Sequence, residues 1–215
     1  MKAVTTPDKP GLRERKKERT RTAISDAAIA LFLERGFTQV SVAEIAEAAE
    51  VSKRTLFAYF PTKEDLVVHR MADHEQEAAR VVRARPAHTT PLAALRDHFL
   101  DGLRRRDPIT GISDHPAVIT LTELIYGTPP LVDRMQRFKA GGERALAEAL
   151  RETTDASDLT ARLAAVQIIG VQWALSTDNF QRLVQGETAD GRYEGAVRDA
   201  EHAFDLLANG LAALT

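Results

Sequence analysis

Apolar residues recur at steps of three and four along most of the chain, which is the spacing of a helix that buries one face. Ile24, Ala28 and Leu31 show this pattern, and Gly36 follows them as a helix stop. The sequence contains no long alternation of apolar and polar residues, and no hairpin dipeptide between β-branched runs. The pattern predicts an all-α protein of about nine helices.

Capping residues, prolines and glycines divide the apolar pattern into separate helices. Thr90-Pro91 and Thr128-Pro129 each place a capping threonine before a proline in the first helical position. The predicted helices span 13–35, 42–49, 52–57, 62–83, 91–106, 116–126, 129–152, 158–185 and 192–214. The first twelve residues, rich in threonine, proline and glycine, are predicted to be a flexible tail.

The last two predicted helices carry an apolar repeat of about 3.5 residues, the period of a helix-packing seam. One hypothesis is that these seams form a four-helix bundle with a second copy of the chain, and the alternative is that they pack only within one chain. A partner other than a second copy is a third possibility. The predicted dimer interface comprises Leu159, Leu163, Val166, Gly170, Phe180, Val197, Ala200, Phe204, Leu207 and Leu211.

The segment from Ser41 to Phe60 has the dimensions of a helix-turn-helix. Ser41 and Glu44 match a capping box at the start of the first helix, and Ser52 can cap the second. On the second helix, Lys53, Arg54 and Phe57 share the outer face, and no acidic residue lies between 51 and 62. Lys53 and Arg54 can bond guanine edges in a major groove, although a lysine-arginine pair can also be an ordinary solvated charge pair.

Hydroxyl and cationic side chains around this helix are expected to bind backbone phosphates, and amides at the Ser41 and Thr62 helix starts are expected to favour an anion. The predicted DNA-binding residues are Ser41, Ser52, Lys53, Arg54, Thr55, Phe57, Tyr59 and Lys63.

Charge is unevenly distributed along the 215 residues, although the formal net charge is only −2. The first 25 residues hold 8 Lys and Arg against 3 Asp and Glu, and this basic arm either is solvated or also contacts DNA. The chain has no cysteine, no run of about 18 consecutive apolar residues and no secretory signal pattern. We expect a cytoplasmic protein without a membrane partner.

Four blocks of the sequence resemble the N-terminal domain of TetR-family transcriptional regulators. They are Thr22–Phe37 (TAISDAAIALFLERGF), Ser41–Ala49 (SVAEIAEAA), Val51–Phe60 (VSKRTLFAYF) and Lys63–Leu66 (KEDL). The resemblance implies a homodimeric repressor, released by a small molecule, that binds a pseudo-palindromic operator. It implies a helix-turn-helix DNA-binding head over 13–62 and a larger helical ligand-binding and dimerisation domain over 63–215. It also implies base or phosphate contacts for the positions of Lys53, Arg54 and Thr55.

Two positions depart from the family pattern. Glu50 stands where the family often has glycine, and a left-handed conformation there costs a non-glycine residue about 1 kcal/mol. Phe57 replaces the tyrosine that is common at its position, which removes one hydroxyl contact to phosphate. Neither change breaks the motif.

The middle helices are expected to enclose a pocket for a small apolar or amphipathic effector. The candidate lining residues are Phe99, Leu103, Ile119, Thr122, Tyr126, Gln172, Trp173 and Thr177. The spacing of the six histidines matches no metal site, and no nucleophile motif is present, so we expect no metal, no cofactor and no catalytic residue. The rival interpretation is an all-α small-molecule-binding protein or enzyme without a DNA role.

Overall fold

The structure of the protein is a computed structural model. It describes residues 11–210, except for the side chains of residues 12, 14, 72 and 73. Over these residues the protein is all-helical. The helices are α1 Leu12–Arg35, α2 Val42–Ala48, α3 Lys53–Tyr59, α4 Asp65–Val68, α5 Ala72–Glu75, α6 Glu77–Ala84, α7 Pro91–Arg104, α8 Pro116–Tyr126, α9 Pro129–Thr153, α10 Asp158–Val184 and α11 Ala189–Asn209. Short 3-10 helices span His69–Met71 and Pro108–Thr110. The predicted tail falls almost wholly outside the described residues, and so does Leu211.

The predicted helix over 62–83 is the largest difference between sequence and structure. The chain forms three α-helical pieces and a 3-10 turn there instead of one helix. Leu66, Val67 and Val68 are all at most 2% exposed, so α4 buries three consecutive positions. A single amphipathic stripe cannot bury three consecutive residues, because successive side chains point about 100° apart.

The chain divides into two compact units between His69 and Arg70. In the first unit, which we call the head, α1 packs on α2 and α4. Its core contains Ile24, Phe32, Ile45 and Leu56, each at most 1% exposed. The core continues past the predicted boundary at residue 62, because Leu66 is fully buried and its carbonyl oxygen accepts a hydrogen bond of 2.7 Å from the Ser25 hydroxyl.

The second unit, from Arg70 onward, is a helical bundle in which α9 packs against α6 and α10, and α11 packs against α7 and α10. Ala200 and Phe204 are 0% and 1% exposed, and the Phe204 ring lies 6.2 Å from that of Phe99. Val197 and Leu207 pack against the same core. The prediction that Ala200 and Phe204 face a second chain is therefore corrected, since the fold of one chain already covers them.

The apolar surface of α10 is exposed in the first half of the helix. Leu159, Leu163 and Val166 are 59%, 53% and 49% exposed, and a Cβ added at Gly170 would meet no atom within 4 Å. Among the described residues, α10 is the one helix long and apolar enough to cross a membrane, with a mean hydropathy of 1.2. The seam on α10 thus leaves a surface that a partner can cover, whereas the seam on α11 lies largely inside the bundle.

Candidate nucleic-acid interface and ligand cavity

The helix-turn-helix is formed by α2 and α3, and both helices are capped as predicted. The Ser41 hydroxyl accepts from the Glu44 amide at 3.3 Å, while the Glu44 carboxylate accepts from the Ser41 amide at 2.8 Å. Arg35 lies 2.8 Å from the same carboxylate. Hydrogen bonds from the Ser41 backbone and side chain, then Arg35, lower the pKa of Glu44 to about 2.

The turn between the two helices passes through a left-handed residue. Glu50 has φ 53°, and the amide of the next residue, Val51, donates a hydrogen bond to the carbonyl oxygen of Ala46 at 2.9 Å. The family resemblance indicated that this position often holds glycine, and the structure places a non-glycine residue there in the left-handed conformation. Ser52 then caps α3, because its hydroxyl accepts from the Thr55 amide at 3.0 Å and lies 2.8 Å from the Thr55 hydroxyl.

The outer face of α3 presents two cations and one aromatic ring. Lys53 and Arg54 are exposed, and neither forms an ion pair with another side chain among the described residues. Phe57 is 48% exposed beside them, although it is a large apolar residue. Leu56 and Phe60 are fully buried, so the helix is held by its inner face and its outer face is available to a ligand.

The remaining predicted contact residues lie around this face with different surroundings. Tyr59 is half-buried, and Ser52 and Thr55 bond to one another. The amides of Ser41 and Thr62 themselves are occupied, since Ser41 N donates to Glu44 and Thr62 N donates to Asp65 Oδ2 at 3.1 Å. These two amides are therefore not available to an anion, and the expectation for the other amides at the helix starts stays a prediction.

Lys63 has a different partner from the phosphate predicted for it. Its ammonium donates to the carbonyl oxygen of Phe37 and lies 4.4 Å from the centre of the Phe37 ring and 5.3 Å from that of Phe32. Burial lowers the pKa of Lys63. The side chain thus ties the entry of α4 to the end of α1, inside the head.

A cavity of about 160 Å³ lies in the second unit, among α5 to α10. Phe99, Thr122, Tyr126, Gln172 and Trp173 line it, so five of the eight predicted pocket residues share one cavity. Leu103, Ile119 and Thr177 are not among the lining residues, and Leu103 is fully buried in the core. Phe180, predicted at the dimer interface, instead lines this cavity and stacks on Tyr126 at 5.9 Å.

The segment over 105–115, which we call the cavity loop, is fastened to α10. The Ser176 hydroxyl donates to Ile109 O at 2.7 Å, and Asn179 Nδ2 donates to Thr110 O at 2.9 Å. Gly111 has φ 76°, and a Cβ there would lie 1.9 Å from Ser176 O. The loop approaches α10 so closely that only glycine fits.

Among the ionisable residues that line the cavity, three form a cluster that the sequence pattern did not indicate. The Glu77 carboxylate lies 2.5 Å from His74 Nδ1 and 3.1 Å from His98 Nε2, and all three side chains line the cavity. His74 and Glu77 are three apart, a spacing visible in the sequence. His98 is on α7, and no sequence signal links it to α6. No group of three His, Asp or Glu side chains within the described part of the chain could hold a metal ion.

Comparisons with known proteins agree with the head's geometry. The profile of bacterial regulatory proteins of the tetR family matches residues 24–69. The chain is 33% identical over 184 residues to the HTH-type transcriptional regulator TcmR of Streptomyces glaucescens, covering 81% of each protein. It is 30% identical over 127 residues to the HTH-type transcriptional regulator RutR of Escherichia coli strain K12, covering 58% of this chain and 57% of RutR.

Among solved structures, the fold is similar to that of NalD, the secondary repressor of the MexAB-OprM multidrug efflux pump in Pseudomonas aeruginosa. The TM-score is 0.57 at 19% identity, over 87% of this chain and 96% of NalD. At this identity the likeness shows the fold alone. The match to TcmR over most of both proteins shows more than the fold: this chain belongs to the tetR family of bacterial regulatory proteins and is a DNA-binding transcriptional regulator.

Proposed function

We propose that α3 enters the major groove of an operator and that Lys53 and Arg54 bond base edges there. The observation that carries this proposal is the pair of exposed cations, unpaired among the described side chains, at the start of a capped helix. An arginine can donate to guanine O6 and N7 as a fork, with roughly 1–3 kcal/mol of discrimination. Phe57, exposed beside them, supplies an apolar contact for a thymine methyl group.

We propose that Tyr59 and the predicted hydroxyl residues contact backbone phosphates and thereby position α3. Ser41, Ser52 and Thr55 already take part in helix caps, so their role at a phosphate is secondary to holding α2 and α3 in place. Lys63 retains donors beyond the one it gives to Phe37, because an ammonium has three N–H groups. A phosphate contact by Lys63 therefore remains part of the proposal.

The protein acts as a homodimer through α10. Leu159, Leu163 and Val166 are all about half exposed, so this apolar surface of α10 is expected to be buried by a partner. The 3.5-residue period of these positions is typical of packing against another helix, which favours a second copy of the chain rather than a lipid bilayer as that partner. A two-fold axis places two copies of α3 at matching half-sites, which is why the operator is pseudo-palindromic. The protein has no catalytic role of its own and acts in the cytoplasm, where the DNA lies.

The cavity of the second unit binds the effector, and the output is repression that the effector relieves. Several aromatic side chains line the cavity, which supports an apolar or amphipathic ligand. Release from DNA requires that the effector bind the DNA-free state more tightly than the DNA-bound state. Tight binding to both states would leave operator occupancy unchanged.

The direct test is selection of operator sequences from random DNA fragments with the full chain, followed by affinity measurements over a range of salt. We expect log K to fall steeply as log salt rises, because each phosphate contact releases counterions. Arg54→Ala should relax preference at particular bases. Arg137→Ala, which changes an exposed arginine on α9, is the matched control and should leave operator affinity unchanged.

Equal affinity for all sequences, or no loss of preference in Arg54→Ala, would contradict the groove assignment. A chain that binds small molecules but shows no salt-dependent DNA binding would favour the rival, a helical ligand-binding protein without a DNA role.

A further inference from the structure

We infer that the cavity of the second unit selects a neutral aromatic molecule that carries a hydrogen-bond donor, such as a phenolic hydroxyl, and that His98 accepts that donor. The inference rests on the proposed function only in taking this cavity as the effector site. It adds the chemical class of the ligand and the group that recognises it.

Three of the five hydroxyls that line the cavity donate to main-chain carbonyl oxygens; the exceptions are Ser113 and Tyr126. Thr122 Oγ1 donates to Val118 O at 2.8 Å, Ser176 Oγ to Ile109 O at 2.7 Å, and Thr110 Oγ1 to Asp107 O at 2.7 Å. A hydroxyl that donates in this way keeps only lone pairs for a ligand. These three side chains therefore act as acceptors.

The imidazole of His98 has the same character. Its Nε2 lies 3.1 Å from the Glu77 carboxylate, which can only accept when ionised, so this nitrogen carries the proton. In the neutral ring the other nitrogen, Nδ1, is then an acceptor. Because Glu77 also contacts His74 at 2.5 Å, its carboxylate is held in place and fixes the tautomer of His98.

The charges of the lining disfavour an anionic ligand. Lys139 lies 3.2 Å from Glu143, and Arg105 lies 2.9 Å from Asp101 and 3.5 Å from Asp107, so the lysine and the arginine of the lining are both paired. Carboxylates of the lining outnumber them, because Glu75, Glu77 and Asp107 face the same space. Neutral N–H donors remain on Gln172 and Trp173 of α10, where they suit an acceptor elsewhere on the ligand.

The size and the rings of the cavity indicate an aromatic body. An apolar cavity of about 150 Å³ accommodates benzene, and this cavity measures about 160 Å³. Phe99, Tyr126, Phe138 and Trp173 surround it, and such rings pack favourably on a planar ligand.

The test compares three small probes that share an aromatic body: 4-propylphenol, its methyl ether 4-propylanisole, and 4-propylbenzoate. Trp173 is the only tryptophan in the chain and lines the cavity, so its fluorescence reports binding by the unlabelled full chain, with calorimetric titration as a second readout. We expect the phenol to bind about three- to tenfold tighter than the ether, the effect of one net hydrogen bond, and the benzoate to bind most weakly.

His98→Phe should abolish the preference for the phenol over the ether, while His88→Phe, the same change at an exposed residue of the 85–90 turn, should keep it. Glu77→Gln, which keeps the side chain's shape, should reduce the preference for the phenol over the ether. This variant tests the same inference if His98→Phe does not fold. Equal binding of phenol and ether by the natural chain, an unchanged preference in both variants, or tight binding of the benzoate would overturn the inference. These titrations contain no DNA, so their failure is distinguishable from failure of operator binding.

Discussion

The ammonium of Lys63 donates a hydrogen bond to the carbonyl oxygen of Phe37 and lies over the ring of the same residue, 4.4 Å from its centre. The carbonyl lies just beyond Gly36, at the end of α1, where backbone acceptors have no helical partner. One side chain therefore satisfies an acceptor and packs on two rings in the head.

Lys63→Met should lower the free energy of unfolding of the head by about 1–2 kcal/mol, because it removes a charged hydrogen bond and cation–π contacts while keeping an apolar stem. Thermal and urea unfolding followed by circular dichroism measure this. Lys53→Met is the matched control, since Lys53 is exposed: it should leave stability unchanged and weaken DNA binding. Equal stability of the two variants would show that the Lys63 contacts contribute nothing.

Glu50→Gly should raise the stability of the head by up to about 1 kcal/mol, because φ at this residue is 53° and glycine adopts such a conformation without a Cβ clash. Glu47→Gly, at the exposed next-to-last position of α2, should lower it by up to about 1 kcal/mol. Urea unfolding of both variants checks the pair. The same sign for both changes would mean that the turn carries no strain.

Leu163→Glu should convert the protein to a monomer, because it places a charge in the middle of the exposed apolar surface of α10, where Leu163 is 53% exposed. Sedimentation equilibrium measures the oligomeric state, and operator affinity should fall with it. Leu33→Glu is the matched control, since Leu33 is a leucine of α1 that is 42% exposed. A dimer that persists in Leu163→Glu would remove α10 from the interface.

Protonation of the Glu77 carboxylate in acid should lower the free energy of unfolding of the protein. Burial raises the pKa of this carboxyl, but the hydrogen bonds and charges of His74 and His98 together lower it below its ordinary 4.5. A group whose folded pKa is lowered stabilises the fold above the unfolded pKa and loses that contribution as pH falls toward the folded pKa. The stability difference between the natural chain and Glu77→Gln should therefore be largest near neutrality and shrink below about pH 4.5. Urea unfolding at pH 3 to 7 measures this difference, and a constant difference would contradict the assignment.

Local patterns along the chain determined most of the helices and the helix-turn-helix. Ser41 with Glu44, and Ser52 before Lys53, are signals between residues three or fewer apart, so hydrogen bonding within one turn decides them. The exposed cations of α3 follow from the same spacing, because Leu56 and Phe60 place the opposite face in the core.

Packing between distant residues decided the rest. The seams on α10 and α11 have the same period, yet Phe204 is buried against Phe99 while Leu163 is exposed, because only the assembled bundle determines which seam is covered. Glu77 and His98 meet across two helices, and Lys63 meets Phe37 across the head, without any spacing that links them along the chain. Period and capping are properties of neighbours in sequence, whereas burial and ion pairing depend on which surfaces the whole chain brings together.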